Sequence, residues 1–299
     1  MDVFIYVVTT MDVLFFTHLL NGLLMVGMPV VLGIYLTRRF NLGWRLWGIG
    51  AATFVLSQAG HIPSNLGLNI VLKDSILTTL PKGQLLIVSA VIAGLSAGLW
   101  EEGARYITYR WWARDARSWR KGIMLGAGHG GIEAVIFGLL VLVTYFVMVS
   151  ARSGGFPSIT QPDQLALAQQ QFNAYWSAAW YSTLLGAVER AFTIPVQITL
   201  SVIVLQVFTR GQIRWLWFAI GWHTAVDAIS VFAVSTWGAY ATEGIIGGIC
   251  LLSIGMLFIL RQPEPEAPTE EETPLPELQG LELAEIEATP DNLEKTRYN

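Results

Sequence analysis

An all-α, polytopic membrane bundle of about seven transmembrane helices is the fold this chain predicts, and three observations predict it. Hydrophobic residues make up 53% of the 299 positions and charged residues only 13%; mean hydropathy is +0.51; and the apolar runs are each long enough to cross about 30 Å of hydrocarbon as a helix. Strands of a barrel would alternate apolar and polar positions, which these runs do not. In lipid the backbone must satisfy its own hydrogen bonds, so such runs are helices.

The runs are placed near 12–37, 44–62, 84–109, 122–150, 174–209, 213–236 and 238–260. The first lacks a basic leader and a small-residue cleavage site, which predicts a retained helix and not a signal peptide. The second is interrupted by Gly60-His61-Ile62-Pro63 and is the least regular. The fifth is unusually long and contains Pro195. Arg38, Arg39 and Arg45, then Arg110 to Lys121, then Arg210 and Arg214, then Arg261 fall in alternate connections. The excess of Lys and Arg on one side predicts the N-terminus outside and the C-terminus in the cytoplasm of a multi-pass cell-membrane protein. Trp111, Trp112 and Trp119 interleave the basic loop; this is an interfacial, positive-inside segment, with no nucleic acid expected as a partner.

Two domains are expected: a membrane domain over 1–261 and an acidic, Pro- and Glu-rich disordered cytoplasmic tail over 262–299. The tail holds eleven of the 22 acids and only Lys295 and Arg297 of the 18 basic residues, too little apolar content to fold alone. The single cysteine, Cys250, sits in the last apolar run as a core residue and excludes a disulfide framework or a cysteine-based metal site.

Chemistry is expected where charge interrupts the apolar runs, because each such residue is costly at membrane depth. Glu101 and Glu102 precede Arg105 by four and three positions, so Arg105 can neutralise one and leave the other free to act as acid or base. His129 and Glu133 share a helical face, as do His223 and Asp227, and a carboxylate beside an imidazole orients it. At 1.5 Å per residue, Glu101-Glu102, His129 and His223 each lie about two turns from the arginine-rich end, so three helices bring them to one level. His129 lies within Gly126 to Gly131, where missing side chains permit close helix approach. Glu189-Arg190, just before Pro195, reads as a structural ion pair or as cleft lining. His18 with Asn21 is expected to bond a neighbouring helix, and His61 to sit near the outer boundary.

These segments, Glu101-Glu102-Gly-Ala-Arg105-Tyr106, Gly128 to Ala134, Glu189-Arg190 and His223-Thr-Ala-Val-Asp227, resemble the motifs of the YhfC family of intramembrane metalloproteases over about Leu85 to Ile229. That family groups with the type II CAAX prenyl proteases, the bacteriocin-processing enzymes and PrsW. The prenyl proteases carry EExxxR, FxxxH and HxxxN and PrsW carries EExxK, FxxxE and HxxxD. This chain reads EExxR, HxxxE and HxxxD, nearer to PrsW, with Glu133 in place of the second prenyl-protease histidine and His129 in place of the phenylalanine.

The resemblance implies an endopeptidase acting on a membrane-embedded or membrane-proximal peptide, from a cavity expected to open toward the cytoplasm. Glu101 or Glu102 resembles the carboxylate that activates water, and His223 the histidine that polarises the scissile carbonyl. His129, Glu133 and Asp227 complete the candidate catalytic set, supported by Arg105 and Glu189. Two mechanisms fit. In the favoured, glutamic-type version no cofactor is required. In the alternative, His129 and His223 with a carboxylate, Glu133 among the choices, bind Zn2+ and leave a position for water. Two non-protease readings compete: a catalytically silent scaffold, as implied by the gamma-secretase scaffold subunit of the same superfamily, and a proton- or ion-coupled transporter, whose relays use the same residue types.

Overall fold

The computed structural model describes residues 2–73 and 79–263. These form eight helices: α1 (Asp2–Phe40), α2 (Arg45–Lys73), α3 (Lys82–Ile107), α4 (Trp119–Gly154), α5 (Pro162–Ser177), α6 (Leu185–Thr209), α7 (Arg214–Trp237) and α8 (Ala239–Ile259). Among the described residues there is no strand. Six segments are long and apolar enough to span a membrane: Val13–Phe40, Lys82–Trp112, Trp119–Gly154, Ser182–Thr209, Arg214–Trp237 and Ala239–Ile259. The chain is therefore an all-helical multi-pass membrane protein. Apart from Gln262 and Pro263, the stretch read as an acidic tail lies outside the described residues.

Two expected boundaries move. The run placed at 174–209 is two elements: α5, with no buried residue, and α6, separated by a break at Ala178–Tyr181 and a single 3-10 turn at Ser182–Leu184. Exposed Trp180 and Tyr181 mark that break, where amphipathic rings suit a membrane–water boundary and a buried helix does not. The Gln-rich stretch from Gln164 to Gln171 lies within α5. The second run does not stop at Pro63: α2 continues through it to Lys73. A proline removes one backbone donor without ending a helix whose neighbours support it. This helix carries Gln58, His61, Ser64 and Asn65, and is not among the six apolar spans.

The bundle is organised around α6. Its most apolar window is 72% buried, against 17–33% for the other five spans, and Val202, Ile203, Val204 and Leu205 are almost wholly enclosed. It packs on α4, α8 and α7, while α3 pairs mainly with α7, and α4 also contacts α1 and α2. Lipid tails are as apolar as leucine, so hydrophobic burial does not by itself hold such helices together; close packing over small residues does. Three glycines of α4 serve two partner helices, α6 and α2. A Cβ on Gly126 would lie 2.6 Å from the Ile198 Cα of α6, one on Gly130 would lie 2.7 Å from Gln197, and one on Gly128 would collide with the Trp47 carbonyl of α2. On α3, Gly94 and Gly98 present the same bare face to the Thr224 and Ile220 carbonyls of α7, at 2.7 and 2.9 Å. These approaches fix α2, α3, α4, α6 and α7 around one point.

At the arginine-rich end, α3 finishes in a π-helical turn over Thr108–Trp112. Arg45 and Asp115 form a forked pair at 2.8 and 3.0 Å, Trp119 donates to the Leu257 carbonyl at 2.9 Å, and Arg261 stacks over Trp119. The connections assigned to one side by their charge are therefore neighbours.

Candidate active site

The adjacent glutamates of α3 are divided by their partners. Glu102, fully buried, accepts from Arg105 one turn along the same helix and from His223 Nδ1 of α7 at 2.7 Å. Arg105 is equally buried and also donates to Gln197 of α6. A charge of each sign held out of water survives only when so paired. Glu101 takes different company: His129 Nε2 of α4 lies 3.1 Å from its Oε2, and Gln58 of α2 donates to its Oε1 at 3.2 Å. His223 Nε2 faces the same Oε2 at 4.0 Å and Asp227 Oδ2 at 3.6 Å. Five helices thus contribute to one cluster: α2, α3, α4, α6 and α7.

The expectation that one glutamate pairs with Arg105 is resolved as Glu102. The expected partnership of His129 with Glu133 does not form. His129, wholly buried with its ring edge-to-face against Phe54 at 5.2 Å, turns to Glu101. Glu133, one turn further from the arginine-rich end, instead accepts from Arg190 at 2.7 Å and from Gln197 Nε2 at 2.9 Å. The stronger, bidentate-capable cation takes the carboxylate from a histidine on its own helix. Glu189 closes this second group by pairing with Arg190. Gln197 joins the two groups, since its amide oxygen receives Arg105 and its nitrogen donates to Glu133.

Three polar residues were not singled out from the sequence in these roles. Gln197 bridges the buried cations and anions; Gln58 touches Glu101; and His61, expected at the outer boundary, lies between Gln58 Oε1 at 3.1 Å and Asn65 at 2.8 Å. The spacing of Gln58, His61 and Asn65 at one-turn intervals was the available signal. His18 and Asn21 do bond neighbours, to the Tyr175 carbonyl at 3.1 Å and from the Ala187 N–H at 2.7 Å. Both line a cavity of about 490 Å³ with Glu189, Arg190 and Thr144. This cavity lies toward the end of the bundle away from the arginine-rich loops.

In kind, two imidazoles and carboxylates are donors that zinc accepts, and Glu102 on His223 Nδ1 is the outer carboxylate that such sites use. In arrangement the two imidazoles stand bonded to the two glutamates. His129 Nε2 is spent on Glu101, its Nδ1 is buried without a protein partner, and among the described residues no group of three or more His, Cys, Asp or Glu is disposed to hold a metal ion.

A buried acid pair, two histidines and a neutralising arginine inside a polytopic helical bundle define a membrane protein with an intramembrane polar centre. The chain belongs to the YhfC intramembrane metalloprotease family, which it matches over residues 24–250; the motif resemblance is borne out. It is 28% identical over 246 residues to the uncharacterized membrane protein YhfC of Bacillus subtilis (strain 168), an alignment covering 79% of this chain and 92% of that protein. No solved structure matches it.

Proposed function

We propose that the chain hydrolyses a peptide bond within or beside the bilayer, with Glu101 as the residue that activates water. The observation that carries this reading is the division of the glutamate pair. Glu102 is neutralised at Oε1 by the Arg105 cation and bonded there by His223, its Oε2 buried without a protein partner, whereas Glu101 meets only neutral or titratable donors, Gln58 and His129, and faces His223 Nε2. Glu101 takes the proton of a water as that water attacks the scissile carbonyl, then returns it to the departing amine. His223, held by Glu102 at Nδ1 and carrying a second proton at Nε2, polarises the carbonyl and holds the oxyanion. His129 and Gln58 keep Glu101 oriented, and Asp227 stands beside His223. Glu133, taken by Arg190 and Gln197, acts as support. No step proposed here uses a metal, although the family's description names a metalloprotease.

The purified chain would be incubated with a library of transmembrane and prenylated peptides, with and without chelator. Wild type should cleave at least one member, and Glu101→Gln should lower kcat by about 10²–10⁴. Absence of cleavage across the library, or equal cleavage by Glu101→Gln, Glu102→Gln and His223→Ala, would sink the proposal. Chelator sensitivity restored by zinc would replace the metal-free mechanism.

One observation favours ion-coupled transport as a second reading: side-chain hydrogen bonds run without a gap from Glu189 through Arg190, Glu133, Gln197 and Arg105 to Glu102 and His223. Proton flux in proteoliposomes that Asp227→Asn abolishes, without any peptidase activity, would select it.

A further inference from the structure

We propose that Arg110, Trp111, Arg114, Arg117 and Phe208 form a binding site for the phosphate-bearing headgroup of an anionic phospholipid, at the arginine-rich end of the bundle and separate from the glutamate–histidine centre. These five residues line a pocket of about 380 Å³.

The backbone builds the pocket. The π-helical turn ends α3 with the Ala113 N–H bonded to the Thr108 carbonyl at 2.8 Å, and a turn of this width redirects the side chains that follow it. The returning chain is then pinned by Arg117, which donates to the carbonyls of Tyr109, Ala113 and Ala116 at 2.8, 3.1 and 3.2 Å. Its guanidinium lies 4.6 Å above the Phe208 ring of α6. Arg117 is therefore a fixed wall of the site.

The other two arginines carry the recognition. Arg114 spends only its Nε, on the Arg110 carbonyl at 3.0 Å, which leaves both terminal nitrogens of its fork toward the pocket. Among the described residues neither Arg110 nor Arg114 has an acidic partner, and Asp115, the acid within this loop, is taken by Arg45 at 2.8 Å with Lys121 at 4.0 Å. Three like charges gathered without a counter-charge repel one another, and an anion with several oxygens relieves that repulsion. Guanidinium forks match phosphate geometry better than ammonium groups do.

The same turn selects a lipid over a free anion. Trp111 is 54% exposed and Ile107, one turn before it on α3, is 46% exposed. A ligand at this place meets cations at one end and lipid-facing apolar side chains at the other, as an anionic phospholipid requires.

The test compares the full-length protein in nanodiscs of phosphatidylcholine with and without phosphatidylglycerol, reading retained lipid by native mass spectrometry. Wild type should retain phosphatidylglycerol about tenfold or more over phosphatidylcholine, and Arg110→Gln with Arg114→Gln should bring retention down to the phosphatidylcholine level. Both side chains are exposed, so the double variant should keep the wild-type thermal midpoint, and Arg114→Lys alone should weaken retention only partly. A control pair, Arg38→Gln with Arg39→Gln, should leave retention unchanged. Equal retention of the two lipids overturns the proposal, as does equal loss in the control pair, which marks diffuse charge. Displacement of the lipid by millimolar inorganic phosphate also overturns it, by identifying a soluble anion as the ligand.

Discussion

Arg105 is the residue on which the centre depends for its charge. It is buried beside Glu102 and Gln197, so removing it strands a carboxylate away from water. Arg105→Met should destabilise the folded protein by about 3–5 kcal/mol, seen as a lower unfolding midpoint in detergent and reduced yield. Adding Glu102→Gln to that variant should recover part of the loss, because the stranded charge goes with it. Gln58 tests orientation separately from stability. Gln58→Leu deletes the 3.2 Å bond to Glu101 and should cut kcat by about tenfold with little change in KM or unfolding midpoint; a merely structural role would move the midpoint and spare kcat. These residues also mark the boundary of what sequence can reveal. Glu101, Glu102, His129 and His223 stand out because an ionisable group in an apolar run is costly enough to demand a reason. Gln58 and Gln197 do not, because a neutral amide is tolerated in many helices, and their importance comes from partners 43 and 92 positions away.

At the scale of elements, the bare faces of α3 and α4 decide how closely the site can close. Gly128→Ala places a methyl against the Trp47 backbone of α2, where no side chain can yield, and should destabilise by about 1–3 kcal/mol through forced backbone movement. Gly244→Ala on α8, with nothing within 4 Å of its added Cβ, should be neutral or stabilising by up to about 1 kcal/mol. The difference in unfolding midpoint between the two variants measures packing, since both change the same residue in a helix. Helix existence was legible from apolar length alone. The break before α6 was not, because Ala178, Ala179, Trp180 and Tyr181 are apolar by composition and only their exposure separates an interface from a span. Pro63 misled in the other direction: the helix continues through it, and the one-turn bond between His61 and Asn65 spans the proline.

For the whole molecule, the arginine-rich end is held by contacts of modest strength around a well-packed interior. Arg45 keeps the Asp115 carboxyl below its usual range, chiefly by hydrogen bonding. The pair therefore contributes above the ordinary carboxylate pKa and is lost as pH falls through the lowered value. Both side chains are half-exposed, so solvent screening limits the contribution to about 0–1 kcal/mol. Arg45→Gln should lower the unfolding midpoint slightly at pH 7, and the difference should vanish once Asp115 is protonated; thermal scans across pH check this. The charge distribution that groups these loops was legible in the sequence, whereas the contacts uniting them depend on the three-dimensional meeting of α2, the α3–α4 connection and α8.

The partners of the two glutamates are also separated along the chain, by 3 residues for Glu102 and Arg105, 28 for Glu101 and His129, 92 for Arg105 and Gln197 and 121 for Glu102 and His223. During biosynthesis these separations become waiting times. Glu102 is neutralised almost as soon as α3 leaves the ribosome, whereas α7 follows only after roughly 6–24 s at ordinary rates of elongation. The nascent α3 therefore enters the bilayer with its most costly charge already matched, and the reactive arrangement is assembled last.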